Sequence, residues 1–424
     1  MTLVLRFILP TCLTLTLGCH LTLPVCAQEW TRFRGPNGSG LSDAKTVPAQ
    51  WKESDFNWKI ALPGTGHGSP VLWGDRIFTT AAEEQRGKFT VLGLRATDGG
   101  VLWKREFPLL PLAGHRFNSL ATSTPTVDDA RVYVCRTEAA HHVLMALDHE
   151  GKTVWERDLG PFAAQHGSGT SPILHDGMVI LANEQDGESF LLAVDAATGK
   201  TRWQTPRQSK VAAYSTPCVL QAAGASPVLL FNSQAHGISA IAPDTGKVVW
   251  EFPPAFDKRS VSSPVIANGL VIGSCGSGGG GNYVVAVRPG DASGSKPPER
   301  AYEIRRSAPY VPTSVCVGDR LFLWSDAGIV SCVVASTGEV KWQERAGGDF
   351  FGSPICVDGR LFCVSTAGEV VVVKAGENFE LLAKNPLGEL SHSTPAVAGG
   401  RMFLRTSGHL FSVGGRKPAA TPRL

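Results

Sequence analysis

Few stretches of this 424-residue chain combine residue types and spacing that could do chemistry. Gly276-Ser-Gly278-Gly-Gly-Gly281 spells the G-x-G-x-x-G pattern by which backbone amides cradle a pyrophosphate. That use requires a helix opening directly after the loop, whereas residues 270–274 and 283–287 on either side read as strands. The segment is read as a hairpin loop. Asn183-Glu184-Gln185-Asp186 offers the oxygen ligands of a hard cation, but on one short loop between apolar runs, where a polar hairpin tip is the simpler reading. There is no CxxC, HExxH, Walker motif, G-x-S-x-G or Asp-rich calcium loop.

Of ten cysteines, three fall within residues 1–27 and seven follow: Cys135, Cys218, Cys275, Cys316, Cys332, Cys356 and Cys363. An odd count at irregular spacing does not describe a disulfide framework, and most of the seven sit in apolar runs, where cysteine serves as a small buried hydrophobe. Residues 1–27 read as a secretory signal: Arg6 is the only charge before Glu29, an apolar stretch follows, and Val25-Cys26-Ala27 suits a small-residue cleavage site. The stretch is broken by Pro10 and Pro24 and falls short of the roughly 18 apolar residues of a span. A lipid anchor at Cys19 or Cys26 is the weaker alternative, since neither follows a leucine-led lipobox. Net charge is +3 and spread along the chain, so the basic face that nucleic acid requires is not expected.

The elements that must position any site come from an internal repeat. A Ser/Thr-Pro step, a short apolar strand, a two-residue turn and a second apolar strand recur at Pro70, Pro125, Pro172, Pro217, Pro264, Pro354 and Pro395, with Ser314 standing in the proline position of one further copy. The intervals are 55, 47, 45, 47, 50, 40 and 41 residues, the length of a four-stranded propeller blade. Asp176-Gly177, Asn268-Gly269, Asp358-Gly359 and Gly399-Gly400 supply tight hairpin turns. Each hairpin is followed by a turn and an aromatic strand, as in Asp195-Ala-Ala-Thr198-Gly199-Lys-Thr-Arg-Trp203 and Asp244-Thr-Gly246-Lys-Val-Val-Trp250. The unit near Tyr302 and the unit near Leu381 lack the Trp, so those two blades are expected to seal less well.

The pattern predicts an all-β fold: a single eight-bladed β-propeller of four-stranded antiparallel blades. The last unit ends after three strands, and residues 56–62 carry the orphan outer strand that would close the ring and remove both sheet edges. The expected organisation is signal peptide 1–27, lead-in 28–55, propeller 56–415 and flexible basic tail 416–424.

These residues carry a resemblance. The Ala-x-Asp-x-x-Thr-Gly-x-x-x-Trp units resemble the pyrroloquinoline-quinone-type (PQQ-like) propeller repeat family, and the arrangement is similar to its BamB branch, the propellers of outer-membrane protein assembly. Trp30-Thr-Arg-Phe33-Arg34-Gly35-Pro36-Asn37-Gly38-Ser-Gly40 resembles the lead-in of bacterial exported proteins with this repeat. For the large alcohol-oxidising members the resemblance implies two adjacent cysteines over the cofactor and an Asp base beside a Glu/Asn-ligated calcium. No two cysteines are adjacent here.

In such a ring the innermost strand starts at the central opening, so residues just before each Ser/Thr-Pro step should circle its mouth. This places His67, His166, Tyr214, Tyr310, Phe351 and His392 on one rim, a surface suited to a peptide or glycan. His67, His166 and His392 are too far apart around the ring for a metal site. No catalytic residue, no metal ligand and no cofactor is assigned, with PQQ and calcium not expected. The expected function is a non-catalytic exported scaffold that binds a protein or peptide partner in the bacterial envelope, periplasmic or outer-membrane-associated, monomeric and without a transmembrane span. The alternatives are a quinone-dependent oxidoreductase and a carbohydrate-binding propeller.

Overall fold

The computed structural model describes residues 30–110, 118–209, 211–222, 224–291 and 293–415; the expected signal peptide and basic tail lie outside them. Eight sheets follow one another along the chain. Their innermost strands are Val71–Trp73, Thr126–Val127, Ile173–His175, Cys218–Leu220, Val265–Ala267, Val315–Val317, Ile355–Val357 and Ala396–Ala398, numbered here as blades 1 to 8. The four strands of each blade are antiparallel, blade 7 gaining a fifth, parallel strand from Leu41–Ser42 of the lead-in, and the four expected turn pairs all hold two consecutive positive φ angles, from 46° at Asp176 to 77° at Gly269. These primed turns match the right-handed strand twist. Blade 8 takes its outer strand from Phe56–Ala61, which pairs with His409–Gly414.

The blades are joined at two radii. Near the outside, the Trp of one blade donates its indole N–H to a carbonyl of the next: Trp103 to His149 (2.7 Å), Trp155 to Ala196 (3.0 Å) and Trp203 to Pro243 (2.7 Å). The ring lies flat on the Gly of the next Thr-Gly turn. A Cβ at Gly199, where φ is 69°, would come within 2.7 Å of the Trp155 ring, so that glycine supplies both the left-handed turn and the space. Tyr302 does the same work, its hydroxyl reaching the Ala335 carbonyl at 2.7 Å. The blade around Leu381 is covered instead from the lead-in: Trp51 is buried and stacks on Phe362 at 6.5 Å, and its backbone N–H donates to Asn385 Oδ1 at 2.9 Å. The expected weak seals are therefore both compensated.

Near the axis, the Ser/Thr before each proline position serves as a weld. The backbone N–H of Ser69 donates to the Thr124 hydroxyl, Thr124 to Ser171, Ser171 to Thr216, Thr216 to Ser263, Ser263 to Thr313, Thr313 to Ser353 and Ser353 to Thr394, at 2.9 to 3.3 Å. Seven junctions are linked this way. At the eighth the Ser69 hydroxyl has no partner.

The lead-in does not hang outside the ring. Trp30 and Thr31 accept N–H bonds from Leu72 and Val127 in blades 1 and 2, and Gly40 accepts one from Cys356 in blade 7. Between these anchors residues 32–38 cross the channel and plug it. The crossing turns sharply at Arg34 (φ 60°) and Gly35 (φ 66°), and a Cβ on Gly35 would strike the buried Trp30 ring at 2.5 Å. On the other side of the plug the channel opens into a cavity lined by Phe33. All seven cysteines carry free thiols, and Cys316 alone among them is partly exposed.

Candidate functional site

The open end is a cavity of about 1180 Å³. Its floor carries Phe33 of the plug, its throat the hydroxyls of the weld, and its rim the loops entering and leaving each innermost strand. The six rim residues expected from the repeat, His67, His166, Tyr214, Tyr310, Phe351 and His392, all line it. They form two groups. On the side of blades 7, 8 and 1, the His67 and His392 rings lie 4.5 Å apart and Phe351 meets His392 edge-on at 4.9 Å. Burial, then the neighbouring His392 and Arg405, push the His67 pKa down to about 3, so this imidazole is neutral. On the side of blades 3 to 6, His166 meets Tyr214 edge-on at 6.3 Å.

Two side chains with clear chemical use escaped the sequence reading. Arg259 reaches across the mouth: its guanidinium lies 5.7 Å over the Tyr214 ring and donates two 3.2 Å bonds to Gln165 Oε1. Its Nε is buried without a partner. Asp326 accepts the N–H of Tyr310 at 2.6 Å and that of Val311 at 3.0 Å, one on each carboxylate oxygen. Burial raises its pKa, with those two bonds opposing the rise. A signal for Asp326 was present. Ser325-Asp326-Ala327-Gly328 occupies the repeat position of Ser365-Thr366-Ala367-Gly368, so the turn does not itself demand a carboxylate.

Phe350, a sequence neighbour of the rim, packs instead on Trp324 at 5.2 Å and is fully buried. The loop Asn183–Asp186 is not a solvated tip either. Asn183, Glu184 and Gln185 are buried, and Glu184 pairs with the buried Arg207 at 2.7 Å. Among the described residues no three His, Cys, Asp or Glu side chains stand close enough together to hold a metal ion.

A closed ring of eight four-stranded blades with one plugged end defines a propeller of the PQQ-like class. The chain belongs to the family described as outer membrane protein assembly factor BamB, whose model matches residues 87–305 and 284–416. It is also similar to two curated polyvinylalcohol dehydrogenases. That of a Pseudomonas species is 25% identical over 189 residues, 40% of this chain and 28% of that protein. That of a Sphingopyxis strain is 27% identical over 267 residues, 53% of this chain and 39% of that protein. The matches thus span well under half the length of these relatives. In fold, BamB from Moraxella catarrhalis superposes with TM-score 0.60 at 16% identity, over 86% of this chain and 98% of that one. Quinohemoprotein alcohol dehydrogenase from Comamonas testosteroni gives 0.62 at 13% identity, over 94% and 82%.

These relatives correct two expectations. A non-catalytic scaffold is not what the dehydrogenase relatives point to, and a chain without cofactor does not agree with them either. The sequence argument rested on the missing pair of adjacent cysteines, which the resemblance implies for the large alcohol-oxidising members, and on reading Asn183–Asp186 as a hairpin tip; neither bears on the cavity's own chemistry.

Proposed function

We propose that this chain is an exported quinone-dependent oxidoreductase acting on alcohol groups, with the mouth cavity as its active site. The observation that carries the reading is the cluster of Arg259, Tyr214, Tyr310 and Asp326 on one wall of an aromatic-lined cavity. The cavity suits a planar anionic quinone: Tyr214, Tyr310 and Phe351 give it an aromatic lining, and the Arg259 guanidinium on its wall can pair with a carboxylate. A quinone bound there supplies a two-electron acceptor. Asp326 can take the hydroxyl proton of an alcohol, because two backbone N–H bonds fix its carboxylate while burial raises its proton affinity. The cavity carboxylates do not assemble a metal cage among the described residues, and no step is assigned to a metal.

Export rests on the leader-like residues 1–27 and on the family. No helix among the described residues is long and apolar enough to cross a membrane. The test is to incubate the purified chain with PQQ and calcium, desalt it, and follow both retained absorbance and dye reduction with polyvinyl alcohol or a short secondary alcohol. A retained chromophore with turnover, lost in Asp326→Asn but with the chromophore kept, supports the reading. Neither binding nor turnover overturns it.

A further inference from the structure

Beside the mouth cavity, between blades 5 and 6, lies a second cavity of about 330 Å³. The two share a wall, since Asn282, Asp326 and Ala327 line both. Asn282 ends the glycine-rich hairpin loop of blade 5, and Asp326 stands on the hairpin of blade 6. A molecule in the smaller cavity thus lies against Asp326 while the larger one is left for the quinone.

Two residues of the smaller cavity depart from the repeat. Ser307, Gly347 and Gly388 stand at one and the same distance before Ser314, Pro354 and Pro395. All three hold positive φ, 53° at Ser307, 118° at Gly347 and 79° at Gly388. Glycine adopts that conformation freely, and a residue with a Cβ does so at a cost. Of the six described non-glycine residues with positive φ, Arg34 and Asn37 belong to the plug, and Asp176, Asn268 and Asp358 to the hairpin turns. Ser307 belongs to neither. The second departure is Asp326, where the matching turn has Thr366. Strain kept at a position that the next two copies give to glycine points to a use for the side chain. Among the described residues the Ser307 hydroxyl makes no hydrogen bond.

The rest of the lining limits what can bind. Asn282 accepts the Ser277 N–H on Oδ1 at 3.1 Å, and its amide hydrogens have no partner among the described residues. Ala308, Ala327 and Ile329 offer a carbon surface. Arg305 is engaged: its Nε meets Glu303 at 2.6 Å and its guanidinium lies 4.6 Å over the Tyr283 ring. An anionic ligand would also meet the Asp326 carboxylate. What is left unused is a hydroxyl and an amide, groups that grip a neutral oxygen as donor or acceptor.

We propose that the cavity between blades 5 and 6 is a subsite for an uncharged diol. One hydroxyl lies at Asp326, and Ser307 determines specificity by bonding the other. Its service as the substrate subsite rests on the oxidoreductase reading, whereas binding can be measured without it.

The test is saturation-transfer NMR on the quinone-free full chain, titrated with 1,3-butanediol, 2-butanol and 3-hydroxybutyrate. The three share a carbon skeleton and carry a second hydroxyl, nothing, or a carboxylate at its end. The diol should bind saturably and at least about fivefold more tightly than 2-butanol, the effect of one hydrogen bond. 3-Hydroxybutyrate should bind more weakly than the diol. Ser307→Gly and Ser307→Ala should both remove the diol's advantage and leave 2-butanol unchanged. Ser307→Gly should also melt at or above the temperature of the unaltered protein, because it relieves the backbone.

No saturable diol binding overturns the subsite. So does equal binding of diol and 2-butanol to the unaltered chain, an advantage that survives both variants, or 3-hydroxybutyrate binding as tightly as the diol. Dye reduction with 1,3-butanediol, in separate quinone-loaded samples, judges the oxidoreductase reading alone. Binding as expected without turnover removes that reading and leaves the diol site standing.

Discussion

Seven junctions of this ring are made by one device and the eighth by another. At the seven, a backbone N–H meets a hydroxyl one blade ahead, and an aromatic ring or the lead-in covers the outer edge. At the seam between blades 8 and 1 the hydroxyl link is missing. There Arg405, fully buried, donates to the Gly68 carbonyl (2.8 Å) and the Thr79 hydroxyl (3.0 Å). Arg401 reaches the Ala96 carbonyl at 3.0 Å, and so does the indole of Trp58, which belongs to the borrowed outer strand. The repeated joints come from the repeat itself. At the seam Trp58 repeats the outer seal, its ring against Gly99, but the inner link must be made by residues that the repeat does not supply, and there the His67–His392 pair forms.

The seam should therefore fail first. Deleting residues 28–62 removes the outer strand of blade 8 and the plug together, leaving an exposed strand edge on His409–Gly414. Aggregation or loss of the cooperative melt is expected. A truncated chain that elutes as a monomer with an unchanged melting temperature would mean that the ring closes some other way.

The outer seals come next in size. Trp203→Ala should cost about 3–5 kcal/mol, the usual range for a buried aromatic. Tyr302→Ala should approach that range, because its hydroxyl bond to Ala335 and its packing on Gly338 reproduce the Trp arrangement. Chemical denaturation of both variants checks this. A Tyr302→Ala loss below about 1 kcal/mol would restore a weak seal at that blade.

Acid should act on the seam through His67. Its folded pKa lies near 3, below the roughly 6.5 of an unfolded histidine. The unfolded chain thus binds an extra proton between those values. Stability from this group is complete above about pH 6.5 and falls by up to ~1.4 kcal/mol per unit as pH drops toward 3. The groups facing His67 are His392 and Arg405, both basic, so no carboxylate offsets the cost. His142, held down to about 4 by burial in blade 2, adds a parallel loss away from the seam. Melts of wild type and His67→Leu between pH 7 and 5 separate the two. Superimposable pH profiles would remove His67 from the account.

The ring was legible in the sequence because its causes are local and repeated: turn pairs with positive φ, apolar alternation, and a Thr-Gly that seats a neighbour's Trp. The rim followed, since repeat phase alone puts His67 and His392 on one mouth across more than 300 positions; that their rings meet at 4.5 Å corrects the expectation that the rim histidines stand apart, because blades 1 and 8 are neighbours in the closed ring. Arg259 was not legible, because it occurs once and matters only through what lies beside it in the fold, and Asp326 left no more than a carboxylate where the matching turn has Thr366. The plug was hidden for the same reason. Phe33, Arg32 and Arg34 read as an arginine-rich lead-in until the fold wraps them around the axis. Tyr302 and Trp51 show the remaining limit: a missing motif residue does not mean a missing contact.

The finest distinction between the two kinds of junction lies in single hydroxyls. Ser171→Ala removes the acceptor of the Thr124 N–H, a buried bond of 2.9 Å. A buried N–H left unpaired costs about 1–3 kcal/mol, and channel water beside this position should hold the loss near the lower figure. Ser69 stands at the equivalent place in blade 1, likewise before a proline and equally buried. Its hydroxyl accepts from nothing, although its own N–H still bonds Thr124. Ser69→Ala keeps that N–H bond and discards only an unpaired buried hydroxyl, so its effect should lie within about 0.5 kcal/mol of zero, on the stabilising side if anywhere. Paired denaturation curves of the two variants decide the matter. Equal losses would show that Ser69 has a partner and that the eighth junction is welded like the others. A loss confined to Ser171 would leave the seam resting on Arg405, Arg401 and Trp58.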